Sequence, residues 1–64
     1  MNWHEHISTN PSVLFGKAVV AGTRIPVDLI LEKLGNGQTI ESLQEGYPTL
    51  TKEDIMACLL YAAN

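Results

Sequence analysis

The stretch Ile55-Met56-Ala57-Cys58-Leu59-Leu60-Tyr61-Ala62-Ala63 carries no charge. A helix that is apolar on every face is ordinarily buried on every face. Its start is marked by Thr51 as N-cap, with Asp54 three positions in as partner in a variant of the capping box and Leu50 and Ile55 placed for a hydrophobic staple. Glu53 and Asp54 also suit the positive end of the helix dipole. The chain has only 64 residues with which to cover this helix. A chain of that size buries only about 60% of the surface its unfolded form exposes. One side must stay open. The pattern predicts a core-facing side of Ile55, Leu59 and Ala62, flanked by Met56 and Leu60. Ala57, Cys58 and Tyr61 then form an exposed apolar strip that invites a second chain. Ala57, Cys58, Leu60 and Tyr61 are the candidate protein-interface residues.

The rest of the chain divides into two regimes within one domain, 1–64: an N-terminal β segment at 1–26 and a three-helix unit at 27–63. Helix 1 follows Pro26, which suits a helix start because it needs no N–H there. Val27, Ile30, Leu31 and Leu34 fall on one face, and Gly35-Asn36-Gly37 ends the helix. Helix 2 begins after Thr39 as N-cap, with Ile40, Leu43 and Tyr47 as its apolar stripe and Gly46 and Pro48 closing it. At about two turns it is too short to be stable alone. In the N-terminal regime, Val13-Leu14-Phe15 and Ala18-Val19-Val20 flank Gly16-Lys17, which fits a hairpin with a type II′ turn. The expected fold is mainly α, a helix–turn–helix-like, homeodomain-like trio with a short N-terminal β-hairpin.

Composition removes several classes of function. The single cysteine forbids an intramolecular disulfide, and the longest apolar run is far short of the roughly 20 residues of a membrane span. Met1 to His6 shows no basic segment leading into an apolar one, so a secretory signal is not expected. A cytoplasmic location is the resulting expectation. No glycine-rich phosphate loop, nucleophile elbow or paired-cysteine metal motif is present. His4 and His6 would share one face of a strand, but two ligands do not make a metal site, and they read better as surface histidines. Cys58 has no neighbouring base to stabilise a thiolate. Asp28, Glu32, Glu41 and Glu45 read as solvated helix faces. Neither catalysis, nor a cofactor, nor a metal is expected.

Helix 2, a short connection and a capped helix 3 after a supporting helix 1 follow the order of a tri-helical nucleic-acid-binding domain. Thr49, Thr51 and Lys52 would approach the major groove, with Lys17 and Arg24 adding phosphate contacts. Against this stand Glu53 and Asp54 in the same turn, a net charge of −3 and only four Lys and Arg residues. Gly46 to Leu50 also makes a longer connection than the usual turn of about 3–4 residues. A dimer would double the contacts, and the strip on helix 3 favours one.

Gly16-Lys17-Ala18-Val19-Val20-Ala21-Gly22-Thr23-Arg24-Ile25-Pro26-Val27 resembles the core motif of family 433 among the domains of unknown function. Gly46-Tyr47-Pro48-Thr49-Leu50-Thr51 with Asp54-Ile55, and the closing Leu60-Tyr61-Ala62-Ala63, match it too, so the likeness runs from Ile7 to Ala63. The resemblance implies a VapB-type antitoxin that neutralises a PIN-like ribonuclease toxin and, as a homodimer, binds its own operator DNA. Two departures bear on this. Ala18 stands where the family usually has proline, and Ala21 where a basic residue is common, which weakens the hairpin's claim to DNA. The charged tail that many relatives carry after helix 3 is not part of this chain. A protein-interaction module that keeps the helix–turn–helix shape without binding nucleic acid is the other expectation.

Overall fold

The computed structural model describes residues 1–64. After a 3₁₀ turn at Trp3–His6 come strands β1 (Ile7–Thr9) and β2 (Ala18–Val20), then helices α1 (Val27–Gly35), α2 (Ile40–Gly46) and α3 (Lys52–Ala63). The three helices lie where periodicity and capping place them. The hairpin does not. β2 pairs antiparallel with β1, in the register Ile7↔Val20, Ser8↔Val19 and Thr9↔Ala18. Val13-Leu14-Phe15 is not a strand, and Gly16-Lys17 is not its turn.

The reason lies at Asn10-Pro11. The Asn10 side-chain oxygen accepts from the Ser12 backbone N–H at 2.9 Å and from its hydroxyl at 2.8 Å. The Val13 N–H donates to the Asn10 carbonyl at 2.8 Å. An Asx turn of this kind offers the backbone a local alternative to a ladder. The chain stays turned through Leu14–Gly16, where Leu14, Phe15 and Gly16 all have positive φ (49°, 57° and 81°). Positive φ costs a non-glycine residue about 1–2 kcal/mol. Pairing with β1 repays this by setting Ile7 opposite Val20, with Ile7 packed on the core and Val20 fully buried. It also delivers the N-terminal turn onto α3.

β2 then leads into α1 through a compact turn. The Thr23 hydroxyl donates to the Val20 carbonyl at 2.7 Å and accepts from the Ile25 N–H at 3.0 Å. Gly22 takes φ 77° inside that turn, where a side chain would be strained. Pro26 is the N-cap residue of α1, and its carbonyl accepts from the N–H groups of Leu29 and Ile30. At the other end the Gly37 N–H donates to the Leu34 carbonyl and the Gln38 N–H to the Lys33 carbonyl, both at 3.0 Å. That is a Schellman motif with Gly37, at φ 92°, in the left-handed position.

α2 is only seven residues long. It is held by the Thr39 hydroxyl, which accepts from the Ser42 N–H at 3.0 Å, and by burial of Leu43. The Gln44 amide donates to the Leu50 carbonyl at 3.2 Å and so pins the connection to α3. One core results, in which Val20, Val27, Ile30, Leu43, Leu50, Ile55 and Cys58 are buried together. Every element from β2 to α3 contributes to it.

Gly37→Ala is expected to lower stability by about 1 kcal/mol, read as a lower denaturation midpoint at unchanged slope. An added Cβ there meets no neighbouring atom, so the cost is backbone strain alone.

Candidate functional site

α3 begins as the sequence indicates. The Asp54 N–H donates to the Thr51 hydroxyl at 3.0 Å, and the Thr51 N–H donates to one Asp54 carboxylate oxygen at 3.1 Å. The other carboxylate oxygen lies 2.9 Å from His6 Nδ1. A residue 48 positions away is thereby tied to the start of the helix. Sequence separation hid this contact, and the only local signal was Asp54's place in the capping box. Burial raises the pKa of Asp54, but the bonds from His6 and from the Thr51 backbone and hydroxyl outweigh it and hold the carboxyl below its ordinary 3.8.

The N-terminal turn covers one flank of α3. Trp3 meets Tyr61 edge to face, with ring centroids 5.7 Å apart, and stacks on His4 at 3.7 Å. Ala57, one turn before Tyr61, is fully buried although it lies outside the core cluster. Ile55 and Cys58 point into the core itself. Burial pushes the Cys58 thiol up to about 11, with the Asp54 charge adding to the effect, so it stays protonated at neutral pH.

The open side is therefore not the one expected. Ala57 and Cys58 are buried, while Met56 (40% exposed), Leu59 (46%) and Ala62, placed on the core side by the sequence pattern, face solvent. The physical reason is close approach. Ala57 and Cys58 sit where the N-terminal turn and the core press on the helix, beside Ile55 in the core, while Met56, Leu59 and Leu60 are turned outward. Periodicity has no purchase on a helix that is apolar all round. Leu60 (39%), which the pattern set beside the core-facing side as well as among the interface candidates, is exposed, and Tyr61 stands at the border with the N-terminal turn. Met56, Leu59, Leu60 and Ala63 fall at i, i+3, i+4 and i+7 and make one continuous solvent-facing face.

The candidate DNA residues are more dispersed. Lys52 is exposed on the first turn of α3, beside Thr49 and Thr51, with Glu53 and Asp54 following it. The Thr51 hydroxyl is committed to its cap. Arg24 is exposed on the turn before α1, and the Lys17 ammonium lies 3.6 Å from the Asp28 carboxylate. Both members of that pair are well exposed, so it contributes little. His4 and His6 turn to different partners, Asn2 and Asp54. No three His, Cys, Asp or Glu side chains converge. Phe15 stands wholly in solvent on its left-handed turn, a position the mistaken strand concealed.

Comparison with known proteins bears on the family. Residues 7–62 match the family described as Protein of unknown function (DUF433). The chain belongs to DUF433. A crystallised DUF433 member from Anabaena variabilis has the same fold, with a TM-score of 0.82 and 36% identity over 88% of this chain and 55% of its own. An uncharacterized protein of Sinorhizobium fredii, y4eO, is 34% identical over 58 residues, 91% of this chain and 26% of that protein. The chain thus spans about a quarter of one DUF433 relative and just over half of the other. No helix in it is long and apolar enough to cross a membrane.

The His6–Asp54 contact predicts an acid response. With its folded-state pKa depressed, Asp54 contributes stability that is fully present above 3.8 and is lost as the pH falls below that value. Trp3, the only tryptophan, reports it. Its emission is expected to shift to longer wavelength on acidification through this range, and Asp54→Asn is expected to show the shifted emission already at pH 7. An unchanged Trp3 signal in that variant would mean that the contact does not hold the N-terminal turn.

Proposed function

We propose that this chain is a non-catalytic association module, a helix–turn–helix-shaped domain that works by offering α3 to another macromolecule. The observation that carries the reading is the uncovered face of Met56, Leu59, Leu60 and Ala63. A contiguous apolar patch on so small a monomer favours an interaction site over idle surface. The resemblance to VapB-type antitoxins gives this reading its finer form. The chain would neutralise a PIN-like ribonuclease toxin by protein contact in the cytoplasm and, as a homodimer, bind operator DNA to regulate its own synthesis.

The charge distribution sets the terms for the DNA step. Net charge is −3, and Lys52 stands beside two acids. One copy therefore offers too little to hold a duplex. Lys17, Arg24 and Lys52 from each of two copies would neutralise up to six phosphates, which corresponds to a salt slope no steeper than about −5. Thr49 and the Thr51 backbone would supply uncharged contacts. A module that binds protein and never DNA is the alternative within the same reading, favoured by the acidic balance.

Fluorescence anisotropy of a labelled duplex from upstream of the gene, against a scrambled duplex, separates the two. If the DNA step holds, the dimer prefers its own duplex and loses up to about 10³-fold in affinity between 50 and 200 mM salt. Lys52→Ala and Arg24→Ala should each flatten that slope. Equal and negligible binding of both duplexes at low salt would remove DNA from the function and leave protein association.

A further inference from the structure

We propose that the N-terminal turn is a hinged cover on α3, which comes away with β1 while the core stays folded and so widens the apolar face of the helix. The opening stands on the packing alone, and its use rests on α3 being the association face.

Burial divides the chain at β2. All nine buried residues lie between Val19 and Cys58, and none of the first eighteen residues is buried. Ile7 is the one residue before β2 that packs against the core cluster. Nor does β2 need β1 to stay in place. The Val20 N–H donates to the Ile25 carbonyl at 2.9 Å, and Val19 pairs with Pro26 along the same edge. On the opposite edge the next amide, that of Ala21, donates to the His6 carbonyl at 2.8 Å. The Asn10 turn closes on Ser12 and Val13, so it survives the departure of β1 and marks the hinge. A segment with few buried apolar contacts and exposed hydrogen bonds opens at lower cost than the core it lies on.

The cover lies along one line of α3. Asp54, Ala57 and Tyr61 fall at i, i+3 and i+7, a run of about 10 Å. The turn is fastened at both ends of that line, by His6 on Asp54 at 2.9 Å and by Trp3 edge to face with Tyr61. Ala57 sits between the two fastenings and is fully buried outside the core cluster, so the turn is what covers it. Both fastenings are reached by water, since His6, Asp54 and Tyr61 are all partly exposed.

Leu60 stands between this line and the open face of Met56, Leu59 and Ala63. When the turn lifts, Ala57 and Tyr61 join that face through Leu60. At about 100° per residue the apolar surface then runs round about half of the helix. α3 thus has a narrow face when covered and a wide one when uncovered. Binding that uses the wide face is weakened by the fraction of molecules that are closed.

Amide hydrogen exchange of the whole chain, followed by NMR in its native state, tests the hinge at two adjacent residues. Ala21 is expected to be at least about tenfold less protected than Val20 after correction for intrinsic rates. Leu43→Val removes one buried methylene from α2, which packs on α1 and α3. It should lower Val20 protection at least about fourfold and leave Ala21 unchanged, because Leu43 stays packed in the open form. Equal protection of the two amides, falling together in Leu43→Val, would mean that the turn leaves only when the whole chain unfolds, and overturns the proposal. Trp3→Ala should lower Ala21 protection at least about threefold, and no change there overturns the fastening at Tyr61. The wider face is read with the apolar dye 8-anilinonaphthalene-1-sulfonate. A chain carrying both Trp3→Ala and His6→Ala is expected to bind several times more dye than the unaltered chain at unchanged helical content, and no gain overturns the widening. Neither readout uses a partner. A failed hinge therefore leaves the open face of α3 as it stands, and a failure of α3 to associate leaves the hinge.

Discussion

A twelve-residue helix with all its charges in the first turn needs apolar neighbours on every side, and this chain supplies them on two. The first is the core, where Ile55 and Cys58 join Val20, Val27, Ile30, Leu43 and Leu50. The second is the N-terminal turn, which reaches α3 only because β1 pairs with β2 and so fixes where the chain begins. The rest of the architecture follows from this division. A strand only three residues long is justified by where it puts Trp3 and His6, since a two-stranded ribbon has little stability of its own. The strained backbone at Leu14 and Phe15 is tolerated because the turn they form lets β2 return alongside β1.

Asp54 joins the two coverings. One of its oxygens completes the helix cap and the other meets His6, so the same carboxylate starts α3 and anchors the segment that shields its flank. Neither contact is deeply buried, and each alone is modest. Their value is cooperative. Fixing Asp54 in the cap removes the side-chain freedom that a separate bond to His6 would otherwise have to overcome. Cys58, one turn further along, is sealed by the same packing and serves as an apolar filler with an unreactive thiol.

What could be read from the residues alone was whatever is local. The Thr51–Asp54 capping box, the Thr39 cap and the glycine after α1 each involve groups within a few positions of one another, and all three are present. The family was legible too, because its motifs are contiguous runs. Three features depend on distant partners and were not legible. Ile7 competes with Val13 for the strand beside Val20, and the winner is decided by the Asn10-Pro11 turn and by what lies upstream of Ile7. The rotation of α3 was hidden by its own uniformity. Alternation between polar and apolar residues tells which way a helix faces, and Ile55 to Ala63 contains none. The His6–Asp54 contact required knowing that β1 carries its preceding turn across the helix. The candidate site moved accordingly, from Ala57 and Cys58 to Met56 and Leu59, while Leu60 stayed in it.

The central claim is that the side of α3 left uncovered by its own chain is the surface through which this DUF433 domain meets other molecules. The most direct measurement is a series of amide NMR spectra of the nitrogen-labelled chain recorded on progressive dilution. The expected result is a set of concentration-dependent shifts confined to α3 from Met56 to Ala63, with the β1–β2 ribbon and α1 unmoved. Shifts centred on the β1 edge or on the Phe15 turn, with α3 unmoved, would contradict it.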